Sequence, residues 1–175
     1  MNTDLRYPIG RFSYPERTTA QAISAAIARI EEAPSALRAA VERLSPEQLD
    51  TPYRPGGWTV RQVIHHLPDS HVNAYVRTKL ALTEDDPVIR PYDEQLWAAL
   101  PDAASTPIET SLLLLENLHR RWVALLRSCD DGAFARQLRH PEIGSLTLGQ
   151  LIIQYGWHGD HHVAHITTLL EREGW

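Results

Sequence analysis

Histidine is the residue whose number and spacing most clearly suggest chemistry in this chain. Residues 157–165 hold four histidines, His158, His161, His162 and His165. On a helix all four lie within about one third of the circumference, and two pairs have i, i+4 spacing. Two imidazoles one helical turn apart can chelate one metal ion. A third imidazole from another helix would leave coordination positions open, as in a catalytic rather than a structural metal site.

Helical periodicity leaves the choice between the two pairs open. The apolar stripe of the last helix, formed by Leu148, Leu151, Tyr155, Ile166 and Leu169, slightly favours His158 and His162, because His162 lies nearest to that stripe. On the second long helix, His66 lies nearer to the apolar face than His65 does. His162 also stands where a His-Glu-x-x-His metalloprotease would need its glutamate, so that class is disfavoured.

Composition excludes several classes of function. The 175 residues are 43% hydrophobic and 22% charged, which predicts a single globular domain over residues 1–175. The net charge of -5, without a cluster of Lys and Arg, argues against nucleic-acid binding. No apolar stretch reaches the length of a membrane span, and residues 1–7 do not resemble a signal peptide. With Cys129 as the single cysteine, we expect a cytoplasmic protein without disulfides.

Helix-capping patterns predict the elements that position the histidines. A Ser or Thr followed three residues later by Glu or Gln recurs at Thr18, Ser45, Thr59, Thr106 and Thr147. Four of these positions open runs that extend to about residues 44, 83, 127 and 173, and no strand is predicted. The sequence therefore predicts an all-α antiparallel four-helix bundle with a long crossover over residues 84–105. Pro68, inside the second long helix, predicts a kink beside His66.

Several longer motifs resemble the YfiT group of the DinB-like superfamily. They are Tyr-Pro-Ile-Gly at 7–10, Asp-Thr-Pro-Tyr-Arg at 50–54, Gly-Gly-Trp-Thr-Val-Arg-Gln-Val-Ile-His-His-Leu at 56–67, Ile-Arg-Pro-Tyr-Asp-Glu at 89–94 and the histidine-rich segment 157–167. The resemblance covers nearly the whole chain. It implies a four-helix bundle, often a homodimer, with one divalent metal held by three histidines. Carried over by position, the implied ligands are His66, His161 and His165, against the slight preference from periodicity. Pro68 replaces the alanine that is usual in this group.

The resemblance also implies the chemistry. Members of the group are described as metal-dependent hydrolases, which use metal-bound water, and as S-transferases, which use a metal-bound thiolate of a low-molecular-weight thiol such as bacillithiol. We favour the transferase acting on small electrophiles, because a metal thiolate needs no carboxylate base. The hydrolase is the first alternative, and a non-catalytic, metal-stabilised binding bundle is the second. Zn2+ is the default ion and Ni2+ the alternative.

Residues outside the ligand set have weaker predicted roles. Arg90 is a candidate for binding an anionic group of the thiol, although a structural ion pair with Asp93 is favoured over that role. Asp69, Asn73 and Asp160 are candidates for orienting the metal ligands. The four tryptophans Trp58, Trp97, Trp122 and Trp157 are expected to be core residues.

Overall fold

The computed structural model describes residues 4–175, so the first three residues of the stretch considered for a signal peptide lie outside it. Four long helices dominate: α1 (Ala20–Val41), α3 (Val60–Thr83), α6 (Ile108–Arg127) and α8 (Leu148–Glu173). The short helix α2 (Pro46–Leu49) lies between α1 and α3. The predicted four-helix bundle is confirmed. Among the described residues, no helix is long and apolar enough to cross a membrane.

Local capping explains where most helices begin. Ser45, Thr59 and Thr147 each accept a hydrogen bond from the backbone of the glutamine three residues later, whose side chain bonds back to the cap. The first helix is capped by Thr19 rather than by the predicted Thr18. The capping box predicted at Thr106 is wrong. Helix α6 has Pro107 at its N-cap position, and the carboxylate of Glu109 pairs with Arg38 instead.

The helix directions differ from a simple antiparallel bundle. Helices α3 and α6 run parallel, since His71 meets His119 and Thr78 meets Trp122 further along both helices. Helices α1 and α8 are also parallel, and each of these pairs runs antiparallel to the other. The long crossover explains this arrangement, because it returns the chain to the starting end of α3. It holds two short helices, α4 (Glu94–Ala98) and α5 (Pro101–Ser105).

A small hairpin that the sequence did not predict follows α6. After the short helix α7 (Asp131–Phe134), strands β1 (Gln137–His140) and β2 (Gly144–Thr147) pair antiparallel. Each strand has only four residues, and neither has the long alternating pattern of β-branched residues that we searched for. The crossover adds backbone bonds to β1, from Ile89 N–H to the Arg139 carbonyl and from Arg139 N–H to the Pro87 carbonyl. The hairpin and the crossover therefore form one connected wall at this end of the bundle.

The apolar core is divided into two clusters. One contains Ile23, Ile30, Trp122, Leu126 and Leu151, and the other contains Leu37, Leu67, Leu115, Ile166 and Leu169. On every long helix, the residues between the two clusters include polar side chains or small residues. His71 of α3, His119 of α6 and the histidines at 158–162 of α8 lie in this middle layer, so apolar packing above and below holds them in place.

Two glycines let α1 approach α8 closely beside the histidine layer. A Cβ atom added at Gly156 would lie 3.0 Å from the Cα atom and the carbonyl oxygen of Ala26, and one at Gly159 would lie 3.0 Å from the Cβ of Ala33. These contacts are with backbone or with a rigid methyl group, which cannot move aside. An alanine at either position would therefore require α1 and α8 to move apart by a few tenths of an ångström.

We predict that Gly156→Ala lowers the free energy of unfolding by about 1–2 kcal/mol, because overpacking outweighs the gain of about 1 kcal/mol in helix propensity. Gly132→Ala in α7 is the matched control, since its added Cβ meets only the Asp130 side chain, at 3.4 Å. We expect that control to be neutral or slightly stabilising. Chemical denaturation of both variants measures the difference, and equal effects would contradict close packing of α1 on α8.

Candidate metal centre

One helix turn of α8 and one residue of α3 bring three histidines together. Among residues 4–175, the group of metal-binding side chains whose ligand atoms all lie within 4.8 Å of one another is His66, His158 and His162. His158 and His162 are one turn apart on α8, and His66 faces them from α3. The pair that helical periodicity slightly favoured is therefore the pair that the structure brings to His66.

These histidines lie at one side of a cavity of about 550 Å³. Its walls come from the N-terminal segment, the loop before α3, the crossover and the hairpin tip, and they include Tyr7, Arg54, Trp58, Tyr92 and Glu142. The N-terminal segment is fastened to α8, because the Tyr14 hydroxyl donates to Gln154 and the Gln150 amide donates to the Pro15 carbonyl. Trp58 covers His66, with ring centroids 4.6 Å apart. The site is thus a walled pocket large enough for small molecules.

The distance between the two nearest ring nitrogens fits a shared cation. His66 Nε2 and His158 Nε2 lie 3.4 Å apart. Two nitrogens bound to one tetrahedral zinc at the usual bond length lie roughly 3.3 Å apart. The group contains three imidazoles and no carboxylate or thiolate, a donor set that suits zinc, nickel, copper and iron. The residues present therefore fit a divalent transition metal.

The electrostatics also favour neutral ligands. Burial lowers the pKa of His66 to about 4, and the neighbouring histidines add to this shift. Burial likewise holds the pKa values of His158 and His162 well below the ordinary value. Neutral imidazole is the form that binds a metal, so the site needs no deprotonation at neutral pH.

The other two predicted ligands lie beside this group and not in it. His165 uses both ring nitrogens on protein groups: Nε2 lies 3.1 Å from the Arg6 carbonyl, and Nδ1 lies 3.3 Å from His162 Nδ1. His161 stacks on Trp157, with ring centroids 4.4 Å apart, and its buried Nδ1 has no partner among the described residues. The ligand atoms that lie within 4.8 Å of one another are therefore those of His66, His158 and His162, and the predicted ligand set of His66, His161 and His165 stays a prediction.

The residues predicted to support the site lie elsewhere. The Arg90 side chain is exposed and does not line the cavity, and Asp93 caps α4 instead of pairing with it. Asp160 pairs with Arg29 on α1. The Asn73 amide donates to the backbone carbonyl of Asp69. In the part of the chain that the structure describes, no hydrogen bond joins the side chain of Arg90, Asp69, Asn73 or Asp160 to a histidine of the group.

Sequence reasoning missed the residues that do support the site. Arg77 of α3 lines the cavity, and His71 of α3 contacts His158. Helical spacing was the signal that could have identified them, because positions 70, 71 and 77 lie on the same face of α3 as His66. Among the tryptophans, Trp122 is fully buried as predicted, whereas Trp58 and Trp157 line the cavity and Trp97 is 37% exposed.

Comparison with known proteins identifies the family of this chain. Residues 29–166 match the model of the DinB superfamily. The chain belongs to that superfamily. A relative from Bacillus cereus (strain 03BB102), named "Putative metal-dependent hydrolase", is 52% identical over 172 residues, which cover 98% of this chain and 99% of the relative. A relative of the same name from Bacillus anthracis (strain A0248) is 51% identical over the same length, with the same coverage of both chains.

Solved structures place this DinB superfamily protein in the YfiT-like group. YfiT from Bacillus subtilis, described as a probable metal-dependent hydrolase with an unusual four-helix bundle topology, superimposes with a TM-score of 0.95 at 49% identity. The match covers 98% of this chain and 99% of YfiT. The four-helix bundle protein TT2238, at 20% identity and a TM-score of 0.55, shares the fold; the match covers 83% of this chain and 98% of TT2238. The predicted family and fold are both confirmed.

We predict that Asp69→Asn stabilises the protein at pH 7 but not at pH 4. Burial and then the charge of Asp102 raise the pKa of Asp69 from 3.8 to about 6 in the folded state. The folded state therefore binds more protons than the unfolded state between pH 4 and 6, so stability falls as pH rises through that window. Because the carboxyl is only partly buried, we expect a gain of only about 1 kcal/mol above pH 6.

Denaturant unfolding of both proteins at pH 4 and pH 7 measures this difference. Asp102→Asn is the companion variant, and we expect it to produce a smaller change with the same sign of pH dependence. A stability difference between Asp69→Asn and wild type that is equal at the two pH values would contradict the raised pKa.

Proposed function

We propose that this protein is a metal-dependent thiol S-transferase, with His66, His158 and His162 as the ligands of one divalent cation. The observation that carries the proposal is the convergence of three neutral imidazoles, without a carboxylate, on a cavity of about 550 Å³. Such a cavity has room for a small thiol and an electrophile together. The predicted choice of zinc, with nickel as the alternative, stays a prediction.

The cation and the chain have separate tasks in this proposal. When bound, a divalent ion supplies Lewis-acid chemistry that lowers the pKa of a coordinated thiol or water. The three imidazoles hold the ion without neutralising its charge, which strengthens that effect. His161 lines the same cavity with a neutral ring, because burial lowers its pKa to about 4. Its Nδ1 has no partner among residues 4–175 and is free for a hydrogen bond with a bound substrate.

A buried arginine points to an anionic substrate. Arg77 is only 8% exposed and lines the cavity beside His158. Its guanidinium donates to the Tyr155 hydroxyl and to the Arg90 carbonyl, and it takes part in none of the ion pairs found among residues 4–175. A buried charge without a counter-charge is costly, so an anionic group of a substrate would compensate it. We therefore propose a thiol that carries carboxylates, such as bacillithiol, and assign its recognition to Arg77 rather than to Arg90.

Hydrolysis is the second candidate function. The names of the Bacillus relatives and the description of YfiT favour it. The same three histidines would serve both reactions. The lack of a carboxylate in the group favours the transferase, because a thiol loses its proton more readily than water does and depends less on a nearby base. A homodimer and a cytoplasmic location stay predictions.

We predict that His158→Ala loses stoichiometric metal, whereas His161→Ala keeps it. The two residues lie less than one turn apart on α8, so they form a matched pair of substitutions. Removing one of three ligands should weaken binding beyond the roughly 10–100-fold effect of losing an outer hydrogen-bond partner. Metal analysis of proteins purified in parallel measures this difference, and circular dichroism controls for folding. The reverse result, with metal lost only from His161→Ala, would restore His161 and His165 as ligands.

We predict that metal-loaded protein conjugates bacillithiol to 1-chloro-2,4-dinitrobenzene, and that Arg77→Met raises the KM for bacillithiol about tenfold or more. The reason is the loss of a charged hydrogen bond, which contributes about 1.5–3 kcal/mol. With 2-mercaptoethanol, which has no carboxylate, Arg77→Met should change KM little. Arg90→Met is the control and should leave both KM values unchanged.

Hydrolysis of p-nitrophenyl acetate without thiol separates the second function from the first. Turnover of the ester, with no conjugation above the rate of metal-free protein, would reject the transferase and support the hydrolase. Absence of both reactions, together with a lower melting temperature after metal removal, would support the non-catalytic bundle.

A further inference from the structure

Three aromatic side chains line the cavity beside the histidines and have no role in the function proposed so far. Tyr7 comes from the N-terminal segment, Trp58 from the loop before α3 and Trp157 from α8. All three are half-buried, whereas Trp122 is fully buried in the core and Trp175 lies outside the cavity. We call Tyr7, Trp58 and Trp157 the aromatic wall. Rings that line a cavity in this way are available to a bound molecule.

The loop before α3 holds the Trp58 indole in a fixed position. Gly56, with a φ of 67°, turns the chain shortly before this residue. The Trp58 carbonyl accepts a hydrogen bond from the Tyr53 N–H at 3.0 Å, and the indole Nε1 donates to the Gln95 side chain at 3.0 Å. The indole is thus tied both to its own loop and to α4 of the crossover. A ring that is already fixed loses little entropy when a ligand stacks on it, which favours affinity.

The other two rings of the aromatic wall are held by contacts with the N-terminal segment and α8. The Trp157 ring centroid lies 4.4 Å from that of His161, at an interplanar angle of 18°, and 5.5 Å from that of Phe12. The Arg11 guanidinium lies over one face of Tyr7, 4.0 Å from the ring centroid. The folded chain therefore orders both rings without the help of a ligand.

Trp58 and Arg77 lie on opposite sides of His66 along α3. Trp58 directly precedes the N-cap of this helix, and its ring centroid lies 4.6 Å from that of His66. Arg77 follows His66 by eleven residues, which is roughly 16 Å along the helix axis. All three residues line the same cavity. A thiol whose anionic group binds Arg77 and whose sulfur reaches the histidines therefore leaves the Trp58 end of the cavity open for the second substrate.

We propose that the aromatic wall is the subsite for the second substrate, and that this substrate is an electron-poor aromatic electrophile. The proposal rests on the proposed function, but it does not depend on which three histidines hold the cation. The face of an indole or phenol ring carries partial negative charge, so it stacks well on a ring from which electrons are withdrawn. Electron withdrawal is also what opens an aromatic carbon to attack by a thiol sulfur. One property of the substrate therefore serves both binding and reaction.

The reaction with 1-chloro-2,4-dinitrobenzene illustrates what this subsite has to accommodate. The thiol sulfur forms a bond to the ring carbon that carries chlorine, and the carbon–chlorine bond breaks. Chloride leaves with the electron pair of that bond, and the thiol proton passes to solvent. The reaction needs no oxidant or reductant. The ring keeps both nitro groups throughout, so the same stacking contacts are available to the substrate and to the product.

Binding of 1,3-dinitrobenzene to metal-free protein tests the subsite without catalysis, because this compound is electron-poor and has no chloride to lose. We expect saturable quenching of tryptophan fluorescence, and we expect Trp58→Leu to raise the Kd about three- to tenfold. Trp58→Phe keeps an aromatic ring and should recover most of the affinity. Trp175→Leu is the matched control and should keep the wild-type Kd, since Trp175 is 45% exposed and does not line the cavity. An equal Kd in wild type and Trp58→Leu would overturn the proposal.

Kinetics of metal-loaded protein separate failure of the subsite from failure of the proposed function. With one thiol, we expect Trp58→Leu to raise the KM for 1-chloro-2,4-dinitrobenzene by a similar factor and to change the KM for iodoacetamide, a non-aromatic electrophile, little. A purely structural role of Trp58 would change both KM values alike, and that result contradicts the proposal. Binding of 1,3-dinitrobenzene that depends on Trp58, without conjugation of either electrophile, supports the aromatic subsite and rejects the transferase. If Trp58→Leu does not fold, Tyr7→Leu tests the aromatic wall by the same two measurements.

Discussion

The middle layer of the bundle depends on one constraint: its buried histidine rings need hydrogen-bond partners inside the protein. Each neutral imidazole has one donor and one acceptor, so an interior line of rings is satisfied only if its end is fixed by a group of known polarity. The backbone carbonyls of Ile30 and Arg6 are such groups. An incorrectly placed proton would leave two lone pairs or two N–H groups facing each other away from water, which is costly in the interior.

This constraint gives a physical reason for the helix arrangement. His158, His71, His119 and the Ile30 carbonyl follow one another from α8 through α3 and α6 to α1, so all four long helices contribute to this layer at the same height. The two apolar clusters fix that height from above and below, and the glycines of α8 bring His158 close to α1 and α3. The parallel pairing of α3 with α6, which requires the long crossover, places His71 opposite His119. Apolar packing and polar order therefore support each other.

The sequence predicted the parts of this structure that local chemistry determines. Three capping boxes and the apolar periodicity identified the long helices, and the motifs identified the family. The parallel helix pairs and the hairpin were not predicted, because direction depends on the path of a long connection and the strands have only four residues each. For the site, spacing identified the histidines of α8 but not which ring nitrogens are free. His158 and His161 differ in their partners from α3 and from the N-terminal segment, and no local pattern encodes those partners.

The four histidines of α8 share one face of the helix but have three different surroundings. Its four rings lie within one third of the helix surface, yet the neighbouring elements assign them differently. His158 and His162 face His66, His165 faces the Arg6 carbonyl, and His161 lies against Trp157 with one nitrogen free. A metal needs rings whose outer nitrogen is bonded to protein and whose inner nitrogen is not. His158 and His162 lie within ligand distance of His66, whereas both ring nitrogens of His165 lie within hydrogen-bond distance of protein groups, so tertiary contacts distinguish the two i, i+4 pairs where spacing does not.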